Sequence, residues 1–259
     1  MSTIIAVSNQ KGGVSKTVTS FNLGACLTIN HEKRVLLADI DPQANLSEYL
    51  GYEPDGKPTM TQLIMTACMG NAVTADMVRT AIRHSEKSKT DYISADINLA
   101  STESLMSMAI SRETILKRIL SDEITSAYDF VIIDCLPSLG SLLINALTAA
   151  DKVLIPVQTQ KFSMDGLQAL EALIEQIKSA VNPKISYLGI LPTMVDRTKV
   201  SQNALQTLSE KYDSKILNTY ISKSVEAAKS TETGIPLCLT GSKLGIEYKN
   251  LTREVLEKC

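Results

Sequence analysis

The sequence lacks an excess of either charge, lacks closely spaced cysteine pairs and lacks any long apolar run. Its 26 Lys and Arg stand against 28 Asp and Glu, for a formal net charge of −2. That balance is unlike an obligate nucleic-acid coat protein, although a local basic patch acts through its own field and not through the total. The five cysteines, at 26, 68, 135, 238 and 259, include no C-x-x-C pair, and His31 and His84 are the only histidines. A structural zinc site draws on clustered ligands of these types, so none is expected. Scattered free thiols suit a reducing cytoplasm. No apolar stretch approaches the ~18–20 residues that cross a bilayer. The chain runs directly into the apolar segment Thr3–Ser8, without the charged leader and cleavage signature of a secreted precursor. The expectation is a soluble, cytoplasmic protein. Internal repeats, low-complexity tracts and linkers are also missing. With 259 residues and 44% hydrophobic content, the chain can bury one large core, near the upper size of a single domain.

What is present alternates. Short runs rich in β-branched residues recur at Ile4–Val7, Val35–Ala38, Val131–Ile133, Val153–Val157 and Leu188–Leu191. They do not alternate with polar residues, which is how strands buried on both faces read. Between them lie stretches of helical period, among them Thr17–Ile29, Gly140–Ala149, Asp165–Ser179 and Val200–Lys211. Strand–helix alternation predicts an α/β fold, a mostly parallel sheet with helices on both faces. One domain, 1–259, is expected. Residues 51–91 are less regular: Gly51, Pro54, Gly56 and Pro58 mark a loop, and Met60–Cys68 and Ala75–Ile82 read as short helices. This stretch is taken as an insertion on the domain's rim.

The strongest local signal is Gln10-Lys11-Gly12-Gly13-Val14-Ser15-Lys16-Thr17, which follows a predicted strand and opens a predicted helix. Small residues let backbone N–H groups converge on phosphate oxygens, and the helix N-terminus adds its dipole. Lys16 can reach the β- and γ-phosphates of a nucleotide, and the Thr17 hydroxyl can ligate Mg²⁺. The loop departs from G-x-x-x-x-G-K-[ST]: Gln10 replaces the first glycine, Ser15 precedes Lys16, and a second lysine, Lys11, stands at its start. Asp41 and Asp134 each follow an apolar run, and strand C-terminal ends form the ligand crevice of an open parallel sheet.

The loop resembles the deviant phosphate loop K-G-G-x-x-K-[ST] of the ParA/MinD ATPases. Leu36-Leu37-Ala38-Asp39-Ile40-Asp41-Pro42-Gln43-Ala44-Asn45 resembles that family's D-x-D-P-Q-G-N segment, and Phe130–Gly140 its Walker B strand and switch II. Ile155-Pro156-Val157-Gln158, Gly189–Met194 and Gly234-Ile235-Pro236 are similar to later family segments, so the resemblance runs the length of the chain. It implies an ATP- and Mg²⁺-dependent hydrolase, slow until a partner stimulates it. Nucleotide contacts would come from Lys11, Gly12, Gly13, Val14, Ser15, Lys16, Thr17, Val18, Met194 and Pro236. Thr17, Asp39 and Asp134 would serve the metal, and Asp41 would orient the attacking water. Lys11 would reach the nucleotide of a second subunit in an ATP-dependent homodimer. Small ParA partition ATPases imply further partners: non-specific DNA, nucleoid association in the ATP state, and a ParB-like centromere-binding activator, with no membrane.

Two loop positions depart from the family. Ser15 stands where most relatives have Gly, at a cost of ~1 kcal/mol if that position needs positive φ. Val18 replaces a Thr that can touch the α-phosphate, a loss of about 0.5–1.5 kcal/mol. Residues 195–259 carry ten basic and eight acidic side chains, and Lys199, Lys223, Lys243 and Arg253 are the candidate DNA contacts, with Glu226 where relatives have Arg. Leu244, Tyr248, Leu251 and Val255 form one stripe of a terminal helix whose other face mixes charges. That reads as a helix packed on the sheet, not a membrane helix with a strongly basic face. No helix-turn-helix precedes the first strand, which argues against operator reading by this chain alone. Rival readings remain: a P-loop kinase or ligase acting on a small molecule, a positioning ATPase for another cargo, a nucleotide sensor, or an iron–sulfur carrier built on Cys135, which lacks a convincing second cysteine.

Overall fold

The computed structural model describes residues 2–161 and 164–259. Its strands are β1 (Thr3–Val7), β2 (Val35–Asp39), β3 (Ile82–Ser85), β4 (Thr90–Ile93), β5 (Phe130–Asp134), β6 (Lys152–Gln158) and β7 (Ser186–Thr193). They form one sheet in the order β3-β4-β2-β5-β1-β6-β7. Every neighbouring pair is parallel except β3 and β4. The helices are α1 (Lys16–His31), α2 (Asn45–Tyr49), α3 (Met60–Cys68), α4 (Ala75–Ala81), α5 (Leu99–Met108), α6 (Ile115–Ile119), α7 (Asp122–Thr125), α8 (Ser141–Ala149), α9 (Met164–Ala180), α10 (Lys199–Tyr212), α11 (Glu226–Thr233) and α12 (Lys243–Lys258).

The unalternating apolar runs are explained by cover on both faces of the sheet. Ala6 of β1 joins one buried cluster with Leu63, Leu143 and Leu170 of α3, α8 and α9. Its neighbours Ile5 and Val7 join the other, with Phe21 and Leu27 of α1 and Tyr248 and Leu251 of α12. Each such aliphatic side chain contributes about 1.5–3 kcal/mol on full burial. Helix α1 is buried nearly all round over Thr19–Leu27, because it lies between the sheet and α12. Gly24 permits this: a Cβ there would sit 2.8 Å from a Leu37 methyl of β2. The stripe Leu244, Tyr248, Leu251 and Val255 is buried on α12, so this helix presents its apolar side to the core.

Helix and strand boundaries read from the sequence fall within about two residues of those observed, the usual scatter of such limits. The 51–91 stretch differs more. It holds α3 and α4 as expected, but it also supplies β3 and the start of β4, which extend the main sheet past β2. These strands escaped the sequence reading because they are four residues long and polar: Ile-Arg-His-Ser and Thr-Asp-Tyr-Ile. The buried Arg83 of β3 pairs with Asp55 at 2.6 Å and stacks its guanidinium on Tyr52 at 5.0 Å from the ring centroid.

Candidate functional site

The turn between β1 and α1 is braced within itself and tied to β6 and β7. The Asn9 side chain accepts from Lys11 N–H at 2.9 Å and donates to the Pro156 carbonyl on β6 at 2.8 Å. Thr193 at the end of β7 donates its hydroxyl to the Val14 carbonyl at 3.0 Å. Gly13 and Ser15 both adopt left-handed backbone, each at φ 71, so the turn does need positive φ at Ser15. Gly12 and Gly13 are exposed, and a Cβ on either would meet nothing within 4 Å; the loop's outer side is open. Helix α1 has no side-chain cap and no acidic residue in its first turn, which leaves its first N–H groups to an anion. Lys16 is buried, 6% exposed, with its ammonium donating to the Lys11 carbonyl at 3.1 Å. Burial pulls its pKa below the ordinary lysine range, while the Asp134 carboxylate opposes that fall.

Parallel pairing sets Asp39 of β2 directly beside Asp134 of β5, and both are fully buried. Asp134 Oδ1 accepts from Ser20 Oγ at 2.7 Å, and the Thr17 hydroxyl stands close to the same carboxylate. Its Oδ2 has no partner among the described residues. Burial, then the adjacent Asp39, push Asp134 above the usual carboxylate range, and the Ser20, Thr17 and Lys16 contacts oppose this. A buried carboxylate beside a second one, with one oxygen unbonded and a threonine hydroxyl next to it, is an oxygen donor set that fits a hard divalent cation such as Mg²⁺. Asp39, expected near the metal shell, has both oxygens taken by protein donors: Asp41 N–H at 3.0 Å on one, Ser47 N–H at 2.9 Å and Ser47 Oγ at 2.7 Å on the other. That placement makes it the organiser of the turn that carries Asp41. Asp41 itself is 8% exposed and accepts from Gln43 N–H at 2.9 Å.

Lys11 lines a cleft of about 410 Å³ shared with Asn9, Pro137, Ser138, Leu139 and Gln158. The switch II segment and the end of β6 thus face the loop's first lysine. Met194 follows Thr193 and so lies along the phosphate loop; it too is left-handed, at φ 51. Pro236 is buried, and the next residue, Leu237, donates its N–H to Asn22 of α1 at 2.8 Å. Val18 packs at the edge of the α1–α12 core. Cys135 is fully buried, with its thiol directed to the Ile133 carbonyl.

The basic candidates divide. Lys243 donates to Ser222 Oγ at 3.0 Å, beside Lys223. The Lys223 N–H bonds the Val195 carbonyl at 2.9 Å, in the connection that leads to Lys199 and α10. Arg253 lies ten residues further along α12, a rise of about 15 Å. Two acidic residues counted against this region are not on its surface. Glu247 accepts from Ser222 N–H and Oγ, and Glu254 from Asn218 and Thr219 N–H. Sequence reasoning missed Asn9, Ser20 and Ser47. Ser20 carried a usable signal, standing one helical turn after Lys16 and so on the same face.

Comparison with known proteins agrees with this geometry. A family model described as an AAA domain matches residues 2–187. The sporulation initiation inhibitor protein Soj of Bacillus subtilis is 39% identical over 258 residues, 98% of each chain. The chromosome partitioning protein ParA of Caulobacter vibrioides is 34% identical, over 98% of this chain and 94% of that one. The structure of cobyrinic acid a,c-diamide synthase from Mycobacterium smegmatis, with bound ATP analog and magnesium, is 33% identical with a TM-score of 0.84, covering 99% and 95% of the two chains. Spacing, strand-end carboxylates and full-length likeness agree, and the chain belongs to the ParA/MinD family of P-loop ATPases.

Proposed function

We propose that this protein is a ParA-type partition ATPase. It binds and slowly hydrolyses MgATP, pairs with a second copy of itself in the ATP state, and as that dimer binds duplex DNA without sequence preference at the nucleoid. A ParB-like centromere-binding partner stimulates the hydrolysis. The observation that carries the reading is the different placement of two lysines. Lys16 is buried against its own loop, while Lys11 stands on an open cleft with Pro137–Leu139. The relatives named as partition proteins support the cargo.

In this reading the uncapped start of α1 and the backbone of Gly12–Thr17 hold the phosphates, with Lys16 on the β- and γ-phosphates. Thr17 and Asp134 would hold Mg²⁺, and Asp39 acts through its hydrogen bond to Asp41. Magnesium, when bound, neutralises charge between the phosphates. Asp41 orients the attacking water, and Met194 and Pro236 flank the base. Lys223 and Lys243, with Lys199 nearby, form the DNA face, and Arg253 extends it. Glu247 and Glu254 accept backbone N–H bonds within the fold, and Glu247 also pairs with Lys243 at 3.5 Å, which tempers the charge of this face.

The likeness to an amide synthase favours a second reading, transfer of the γ-phosphoryl group to a small acid held in the cleft beside Lys11. One experiment separates the two: ATP turnover measured alone, with duplex DNA plus a candidate activator, and with small carboxylic acids. Stimulation by DNA and activator, with Asp41→Ala reducing turnover about a hundredfold or more while ATP is retained, is expected, on the scale of lost general-base or positioning effects. Turnover that depends on an acid and ignores DNA would replace the partition reading.

A further inference from the structure

Cys26 and Cys238 lie 212 residues apart in the chain yet meet in the core. Asn22 and Cys26 are one helical turn apart on α1 and so share a face. The hydrogen bond from Leu237 N–H to Asn22 Oδ1 at 2.8 Å sets the next residue, Cys238, against that face. Both cysteines are buried, at 0% and 3% exposure, in the same apolar cluster, and each side chain lies close enough to act on the other thiol's ionisation. Among the described residues, no second thiol acts on Cys68, Cys135 or Cys259.

We propose that Cys26 and Cys238 are an oxidisable dithiol, converted by small-molecule disulfides of the glutathione class into an intramolecular disulfide that joins α1 to the turn after Pro236. Neighbouring thiols on a helix face and a short turn can close to the S–S bonding distance of about 2.05 Å when the turn shifts. The order of events follows from their surroundings. Lys249 lies near both thiols, so access, not charge, decides which reacts first, and that is Cys238. Its turn is short, Leu237–Leu239, and is flanked by the exposed Ile235 and Leu239, so a local opening admits a reagent. The Cys238 thiolate attacks the disulfide RSSR and expels one RS⁻. The Cys26 sulfur then attacks the mixed disulfide at Cys238 and expels the second. The two protein thiol protons end on two RSH molecules: the dithiol is oxidised by two electrons and RSSR is reduced by two.

The consequence rests on the nucleotide reading above. Helix α1 begins with Lys16 and Thr17, and the joined turn follows Pro236, so the bond ties the phosphate side of the cleft to its base side. Nucleotide release should slow when the bond forms.

The test uses the full chain carrying Cys259→Ser, to remove the exposed thiol, treated with oxidised glutathione, alkylated under denaturing conditions and mapped by peptide mass spectrometry. A linked Cys26–Cys238 peptide that disappears on reduction is expected. In Cys26→Ala, Cys238 should instead carry glutathione, and in Cys238→Ala, Cys26 should stay unmodified. Free, alkylated Cys26 and Cys238 after oxidation, or a different linked pair, overturns the proposal. Release of a fluorescent ATP analogue should slow about fivefold or more in the oxidised form, the lower range of typical coupling between sites. A disulfide without that change overturns the coupling. Failure of the reduced protein to bind the analogue counts against the ATPase reading alone, since the peptide map does not depend on nucleotide.

Discussion

Ser15 and Ala44 both hold left-handed backbone, at φ 71 and φ 53, and both stand where the family pattern has glycine. A side chain in this region costs about 1–2 kcal/mol, partly offset because glycine gives up about 0.5–1 kcal/mol more chain entropy on folding. Ser15→Gly should therefore raise the free energy of unfolding by roughly 0.5–1 kcal/mol, read as a higher urea midpoint at unchanged slope; a lower midpoint would mean that the Ser15 side chain supports the loop. Lys16, Thr17 and Asp134 were legible in the sequence because a motif states their spacing. Asn9 and Ser47 were not. Their work depends on partners the fold supplies: the Pro156 carbonyl lies 147 residues from Asn9, and Ser47 bonds Asp39 across a turn. Even the strain at Ala44 was readable only once its φ was known.

At the scale of elements, the loop 51–58 is fixed to the sheet edge by one side chain. Arg83 of β3 donates to both Asp55 oxygens, at 3.0 and 2.6 Å, and to the Lys57, Pro58 and Ala81 carbonyls. The Arg83 guanidinium holds the Asp55 carboxyl down at about 2 from an ordinary 3.8. A folded pKa below the unfolded one gives stability that is fully present above the unfolded value and lost as pH falls through the folded one. Asp55→Asn should accordingly be less stable than the parent at neutral pH, with the gap closing between about pH 4 and pH 2. Urea midpoints across that range check it, and parallel curves for the two proteins would remove the pair from the acid response. Strands buried on both faces declared themselves by composition, and α12 by its stripe. The edge strands β3 and β4 did not, since β3 is held by an ion pair and a hairpin register in place of an apolar run.

For the whole molecule, the placement of Lys11 on an open cleft gives the assembly prediction. If ATP is shared across a two-fold dimer, it offers a contact that ADP does not, and that difference shifts the equilibrium. Lys11→Ala should keep nucleotide binding by the monomer and lose ATP-dependent dimerisation. Light scattering with ADP and with ATP, in the Asp41→Ala background so that ATP persists, measures this; dimers of the double variant as abundant as those of its parent would end the idea. The sheet order carries one more consequence, for synthesis. The first strand, β1, lies inside the sheet, and its partners β5 and β6 begin at Phe130 and Lys152. A chain emerging from the ribosome therefore holds an apolar strand and the phosphate loop without neighbours until half of the sequence has followed, and pairing of such separated segments is slow. A fragment of residues 1–120 should stay protease-sensitive, and protection of β1 should arise only after β5 and β6 have been made, so that in the cell this chain depends on chaperone cover for most of its own translation.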